Sequence, residues 1–146
     1  MAGTEKASQP TGRPPQAFYS FFAGSDYCIS TAWHPLYVDY YGPSGTAVGS
    51  FATAPRTGIL RVYRAVIGAK GQSGKTAYCR LYNKSTGQQI YQISVAGAGG
   101  WTLNKQQGDP LALLAVSIGN EIFAQIRTSE LYAFDYLFGG FTVSLV

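Results

Sequence analysis

Leu131-Tyr132-Ala133-Phe134-Asp135-Tyr136-Leu137-Phe138-Gly139-Gly140-Phe141-Thr142-Val143-Ser144-Leu145-Val146 closes the chain on an aromatic, β-branched run with no polar tail. Exposed termini usually fray and are polar. An end this apolar predicts burial, in a sheet or against a second subunit. Phe138-Gly139-Gly140-Phe141 combines packing area with two positions that lack a Cβ. A neighbouring backbone or bulky side chain can come close there. Phe138 and Phe141 stand three residues apart, so in a regular strand they point to opposite faces. One is expected in a core. The other is expected to face a neighbouring subunit or the outer sheet surface. Tyr132, Phe134, Tyr136, Phe138 and Phe141 form the expected core and subunit-interface set.

Strand patterns recur upstream of this run. Residues 17–22 are aromatic. Residues 36–41 follow, closed by Gly42-Pro43-Ser44-Gly45, and 47–53 are ended by Pro55. Residues 58–67 are long and β-branched. In 76–83, Ala77, Cys79 and Leu81 face one way, and Thr76, Tyr78, Arg80 and Tyr82 the other. Residues 89–95 alternate again. Residues 111–118 and 121–126 meet at Gly119-Asn120, which reads as a tight-turn pair. Turn signals return about every 8–12 residues, the spacing of a sandwich or barrel. Helix-period runs are absent, so the class is all-β. Residues 1–16 are polar, contain Pro10, Pro14 and Pro15, and read as an extended arm before a domain spanning 17–146.

At 146 residues the chain is one domain with room for a proper core. Hydrophobic residues make up 46% and charged residues only 12%, with eleven tyrosines. Charge keeps a monomer soluble and apart from its copies, so this balance implies surface hidden in an oligomer. No apolar run approaches the ~20 residues of a membrane span, and no membrane insertion is expected. Residues 1–16 lack the apolar segment of a secretory leader, so the expectation is a chain that is not secreted, is released by lysis or has been processed. Net charge is +4, and no acid lies between Asp39 and Asp109. Arg56, Arg61, Arg64, Lys70, Lys75, Arg80 and Lys84 all fall in that stretch. They are spread along alternating strands rather than clustered, so no nucleic-acid partner is expected. Cys28 and Cys79 allow one bridge and leave the redox compartment open; Cys79, in a strand-like run, reads as a small buried hydrophobe.

The order of motifs resembles the C1q/TNF-like family. The carrying stretches are the aromatic strand at 17–22 and Pro35-Leu36-Tyr37-Val38-Asp39-Tyr40. Phe51-Ala52-Thr53-Ala54-Pro55-Arg56-Thr57-Gly58-Ile59-Leu60-Arg61-Val62-Tyr63 comes next. Ala77-Tyr78-Cys79-Arg80-Leu81-Tyr82-Asn83-Lys84 follows, then Ile118-Gly119-Asn120-Glu121-Ile122-Phe123-Ala124-Gln125-Ile126. The Phe138-Gly139-Gly140-Phe141 close completes the series. Asn120 stands where the family usually has Asp. The resemblance spans 17–146 and implies a ten-stranded jelly-roll forming a compact homotrimer, with aromatic strands along the threefold axis. Small trimeric jelly-rolls of this kind also serve on virions, as spike heads or decoration proteins.

Motifs that carry chemistry are sparse. Ala69-Lys70-Gly71-Gln72-Ser73-Gly74-Lys75-Thr76 fits a loose phosphate-binding loop. That loop needs a helix after it, and Thr76 opens an alternating strand, so the match is read as an accidental hairpin turn. His34, the single histidine, has no spacing-supported partner in Asp39 or Asp135. Asp26, Asp39, Asp109 and Asp135 are scattered, and neither a metal nor a cofactor is expected. Asn83-Lys84-Ser85 is a glycosylation sequon, relevant only along a secretory route. Trp33, His34 and Trp101 are candidate ligand or partner contacts, and Lys6 and Arg13 candidate anchors in the arm. No acid–base or nucleophile constellation appears, so no enzyme is expected. The expectation is a homotrimeric binding or structural protein on a virion surface, held to a capsid or other particle through residues 1–16 and meeting a cell-surface receptor or glycan. The alternative is an extracellular C1q-like recognition module, a lectin or signalling ligand.

Overall fold

The computed structural model describes residues 31–33 and 52–146 throughout, and the strand placement of 17–25, 34–35, 37–39, 48–49 and 51. Its strands are β1 (Ala17–Ser25), β2 (His34–Pro35), β3 (Tyr37–Asp39), β4 (Val48–Gly49), β5 (Phe51–Thr53), β6 (Gly58–Gly71), β7 (Thr76–Asn83), β8 (Gln88–Ala96), β9 (Trp101–Val116), β10 (Glu121–Thr128) and β11 (Phe134–Leu145). No helix occurs among the described residues. The resemblance implied ten strands. Eleven segments are described, and β2 to β5 are only two or three residues long.

Two antiparallel sheets form a sandwich. The first runs β4-β3-β1-β11-β6-β9 and the second β2-β10-β7-β8, with β5 also pairing β10. The C-terminal run therefore lies inside a sheet. β11 pairs with β1 from Leu137 to Leu145 on one side and with β6 on the other. A strand paired on both edges leaves few backbone groups unpaired, and its apolar side chains have a core to fill. Leu137, Phe141, Val143 and Leu145 point inward and are buried. Leu60, Val62 and Ile67 from β6 join them, against Cys79 and Leu81 of β7 and Ile122 and Ile126 of β10.

The alternation read in 76–83 is the alternation observed: Ala77, Cys79, Leu81 and Asn83 are buried, and the residues between them are partly exposed. Three local readings are corrected. The chain between β6 and β7 is not a hairpin, because β6 lies in the first sheet and β7 in the second. Residues 72–75 are a corner between sheets, turned by Gly74 at φ 83°. The tight turn after β9 centres on Ile118 and Gly119, not Gly119 and Asn120. Asn120 N–H donates to Ser117 O at 3.0 Å, and Gly119 takes φ 86°, the third-position conformation of a type II turn. Finally, β9 begins at Trp101, ten residues before the expected start at 111. It runs past Gly108-Asp109-Pro110 because Val62 pairs with Ala112 and Arg64 with Gln107, so residues 108–111 bulge out opposite Tyr63.

Candidate functional site

The outward face of the first sheet is unusually apolar. On β11 the inward residues alternate with Tyr136 and Phe138, which point out. On β6, Gly68 pairs with Phe138 and with Leu103 of β9, and Lys70 pairs with Tyr136 and Trp101. The Phe138 ring lies directly on Gly68, where an added Cβ would meet ring carbons at 2.3 Å. Trp101 stacks on Tyr136, with ring centroids 5.6 Å apart and planes 20° apart, and leans on Phe138 at 6.0 Å. In a single protomer Trp101 stays 58% exposed, Leu103 54% and Phe138 39%. Trp101, Tyr136, Phe138 and Leu103 thus form one contiguous, exposed apolar patch.

The sequence-named residues divide among separate places. Phe134 and Phe141 are core, with Phe141 2% exposed. Phe138 is three residues from Phe141 and on the opposite face, as the spacing requires. Tyr136 and Phe138 share the patch with Trp101. Tyr132 lies in the connection before β11, exposed and at φ 60°. Trp33 is on the other sheet, edge-on to Tyr78 at 6.4 Å. It therefore does not form one site with Trp101. His34 holds a strand position opposite Ile126. Lys6 and Arg13 lie outside the described residues. Sequence reasoning missed Leu103 and Gly68, because their part depends on the β6–β9 register. It also missed the cations around Trp33. The Arg80 guanidinium sits 4.3 Å from the Trp33 ring centroid and 3.9 Å from that of Tyr82. The Arg127 guanidinium sits 5.3 Å from Trp33 and 4.2 Å from Tyr78.

The motifs set aside in the sequence have structural explanations. Thr76 starts a strand, and Lys75 forms an ion pair with Glu130 at 2.9 Å. Asn83 of the sequon is fully buried. Its Nδ2 donates to Asn120 Oδ1 at 3.0 Å, and its Oδ1 accepts from the Ser85 and Thr86 amides at 3.1 and 3.3 Å. A saccharide cannot be attached to that amide without unfolding the corner. Cys79 is a free thiol, buried between the sheets, and burial pushes its pKa far above the ordinary thiol value. Among the described residues no group of three or more His, Cys, Asp or Glu gathers in metal-binding proximity.

No family model and no curated protein matches the sequence. Among solved structures, the globular domain of zebrafish complement 1qA superposes with TM-score 0.59 at 10% identity, over 90% of this chain and 98% of that one. The fold is C1q/TNF-like. Murine APRIL at pH 8.5 aligns with TM-score 0.44 at 12% identity, over 86% of this chain and 98% of its own. VP2 of the infectious bursal disease virus subviral particle aligns with TM-score 0.48 at 14% identity, covering 89% of this chain and 32% of the capsid chain. The expected resemblance in fold holds over 90% of the chain.

Proposed function

We propose that this chain is a non-enzymatic binding and structural protein that works as a homotrimer. The subunit contact is the aromatic outer face of the first sheet. The observation that carries the reading is the solvent-facing stack of Trp101, Tyr136 and Phe138 over Gly68. Three rings and Leu103 left open on one protomer are an association surface in a chain whose charge is only 12%. The C1q/TNF-like fold supports closure around a threefold axis. In that role the chain is a virion decoration protein or small receptor-binding head, attached to its particle through residues 1–16, which lie outside the described residues. The Pro-rich, polar composition of that arm favours docking, since restricted residues lose less entropy on ordering.

The likeness to a complement globular domain favours a second reading, an extracellular recognition module. Both readings share the trimer. Light scattering coupled to size exclusion is expected to give three times 15.7 kDa. A clean monomer at micromolar concentration overturns the proposal. The two readings part at the arm. On the virion reading, a chain starting at Gln16 trimerises but no longer attaches to purified particles. Attachment that survives truncation removes the anchor role.

A further inference from the structure

The outer face of the second sheet holds a second cluster, remote in kind from the aromatic patch. Register places Tyr78 opposite Arg127, Arg80 opposite Gln125 and Tyr82 opposite Phe123. Arg80 and Arg127 are thus diagonal neighbours, about 7–8 Å apart at the backbone. Both guanidiniums reach the Trp33 ring, Arg80 also stacks on Tyr82, and Arg127 also stacks on Tyr78. Arg80 Nε donates to Gln125 Oε1 at 2.7 Å. Lys84 continues the row, with its ammonium 5.0 Å from the Phe123 ring centroid.

Two cations are therefore fixed on one indole with no carboxylate paired to either among the described residues. Burial lowers the Arg80 pKa, Tyr82 opposes that, and the charge of Arg127 lowers it further. The ion pair seen among the described residues joins Lys75 to Glu130, away from this face. Among the described residues the carboxylate that shares this face, Glu121, stands six residues before Arg127 along β10, about 20 Å away. A guanidinium stacked on a ring keeps its in-plane N–H groups available to acceptors at the rim. Gln92 lies opposite Arg80 and Ser94 opposite Tyr78 on β8, so amide and hydroxyl groups flank the pair.

We propose that Arg80 and Arg127, positioned by Trp33, form an anion-recognition site for a sulfated glycan strand. A sulfate presents several oxygens that two guanidinium forks can share. The flanking Gln92 and Ser94 suit sugar hydroxyls, while Gln125 is buried and holds Arg80 in place. A row of half-exposed side chains along neighbouring strands suits an extended polymer. Nucleic acid is disfavoured because the rings here hold cations, whereas base stacking uses ring faces. The inference rests on the reading of the chain as a binding module, but the site lies within one protomer.

The test titrates the full chain calorimetrically with dextran sulfate, uncharged dextran and polyuridylate at physiological ionic strength. Saturable binding of dextran sulfate alone is expected. Arg127→Gln and Arg80→Gln each weaken it by about tenfold or more, the size of a lost charge-assisted contact. Lys75→Gln removes the same charge off the face and leaves affinity essentially unchanged. Trp33→Leu keeps every charge and still weakens binding. Arg80→Lys, which preserves charge and folding, weakens it as well. Equal losses in Arg127→Gln and Lys75→Gln mean diffuse attraction and overturn the site. Tighter binding of polyuridylate, lost in the same variants, also overturns it. Light scattering on the same samples separates the two proposals. A trimer that ignores dextran sulfate sinks the glycan site alone. A monomer that binds through Arg127 sinks the trimer alone.

Discussion

Gly139 shows why a close approach fixes a residue. An added Cβ there would stand 2.7 Å from Cys79 Sγ and 3.2 Å from Val66 O. The two sheets meet at this point with only a hydrogen between them. Gly139→Ala forces a shift in a packed core, and overpacking of this kind costs about 1–3 kcal/mol. Chemical denaturation is expected to show that loss. Adding Cys79→Ala removes the sulfur and recovers part of it, so the double-mutant cycle has a favourable coupling. Strictly additive losses would count against the contact. The glycine pair was legible in the sequence as a place where something comes close. Its partner was not, since Cys79 is 60 residues away and only the stacking of β11 on β7 brings it there.

At the scale of elements, legibility followed burial. β7 and β10 were readable because one face of each is core and the period-two pattern largely survives, whereas in β8 the expected alternation over 89–95 is broken by a bulge at Ile90, which leaves Ile90 and Ile93, three residues apart, both buried. The first half of β9 was not readable. It lies at the edge of the first sheet, and Lys105-Gln106-Gln107-Gly108-Asp109-Pro110 meets no core that would demand apolar residues there. Polar residues, a bulge and a proline are how natural edges avoid further pairing. The arginine pair was half legible: Tyr78, Arg80 and Tyr82 share a face by alternation, but Gln125 and Arg127 join them only through register. Corners between the sheets depend on side chains too. Asn83 ties the end of β7 to the β9–β10 turn and to the turn after itself. Asn83→Ala leaves two amides and the Asn120 carbonyl short of partners, a cost of about 1–3 kcal/mol. The melting temperature is the readout, and an unchanged value would contradict this role. By contrast, Lys75→Ala removes an ion pair between partly exposed groups, worth about 0–1 kcal/mol. It is expected to leave the fold intact, and ATP to give no thermal shift in either protein. Saturable ATP binding lost on substitution would restore the phosphate-loop reading.

For the whole molecule, the two phenylalanines of the C-terminal run separate folding from assembly. Phe141 is buried among the inward side chains of both sheets, and Phe138 is 39% exposed beneath Trp101. Truncating a buried phenylalanine costs about 3–5 kcal/mol. Domain stability is ordinarily about 5–15 kcal/mol, so Phe141→Ala removes a large share of it and is expected to abolish or severely weaken folding. Phe138→Ala removes a ring that lies on Gly68 at the surface, so the protomer keeps its core. Its expected defect is in association: the folded protein elutes as a dissociated protomer, or aggregates through the remaining Trp101 and Leu103. Trp101→Ser should act in the same direction, because it removes the ring stacked on Tyr136 and Phe138. Circular dichroism reports folding and light scattering reports assembly on the same preparations. If Phe138→Ala and Trp101→Ser both give soluble trimers as stable as the parent, the aromatic face is not the subunit contact, and the low charge of the chain requires another surface to be covered.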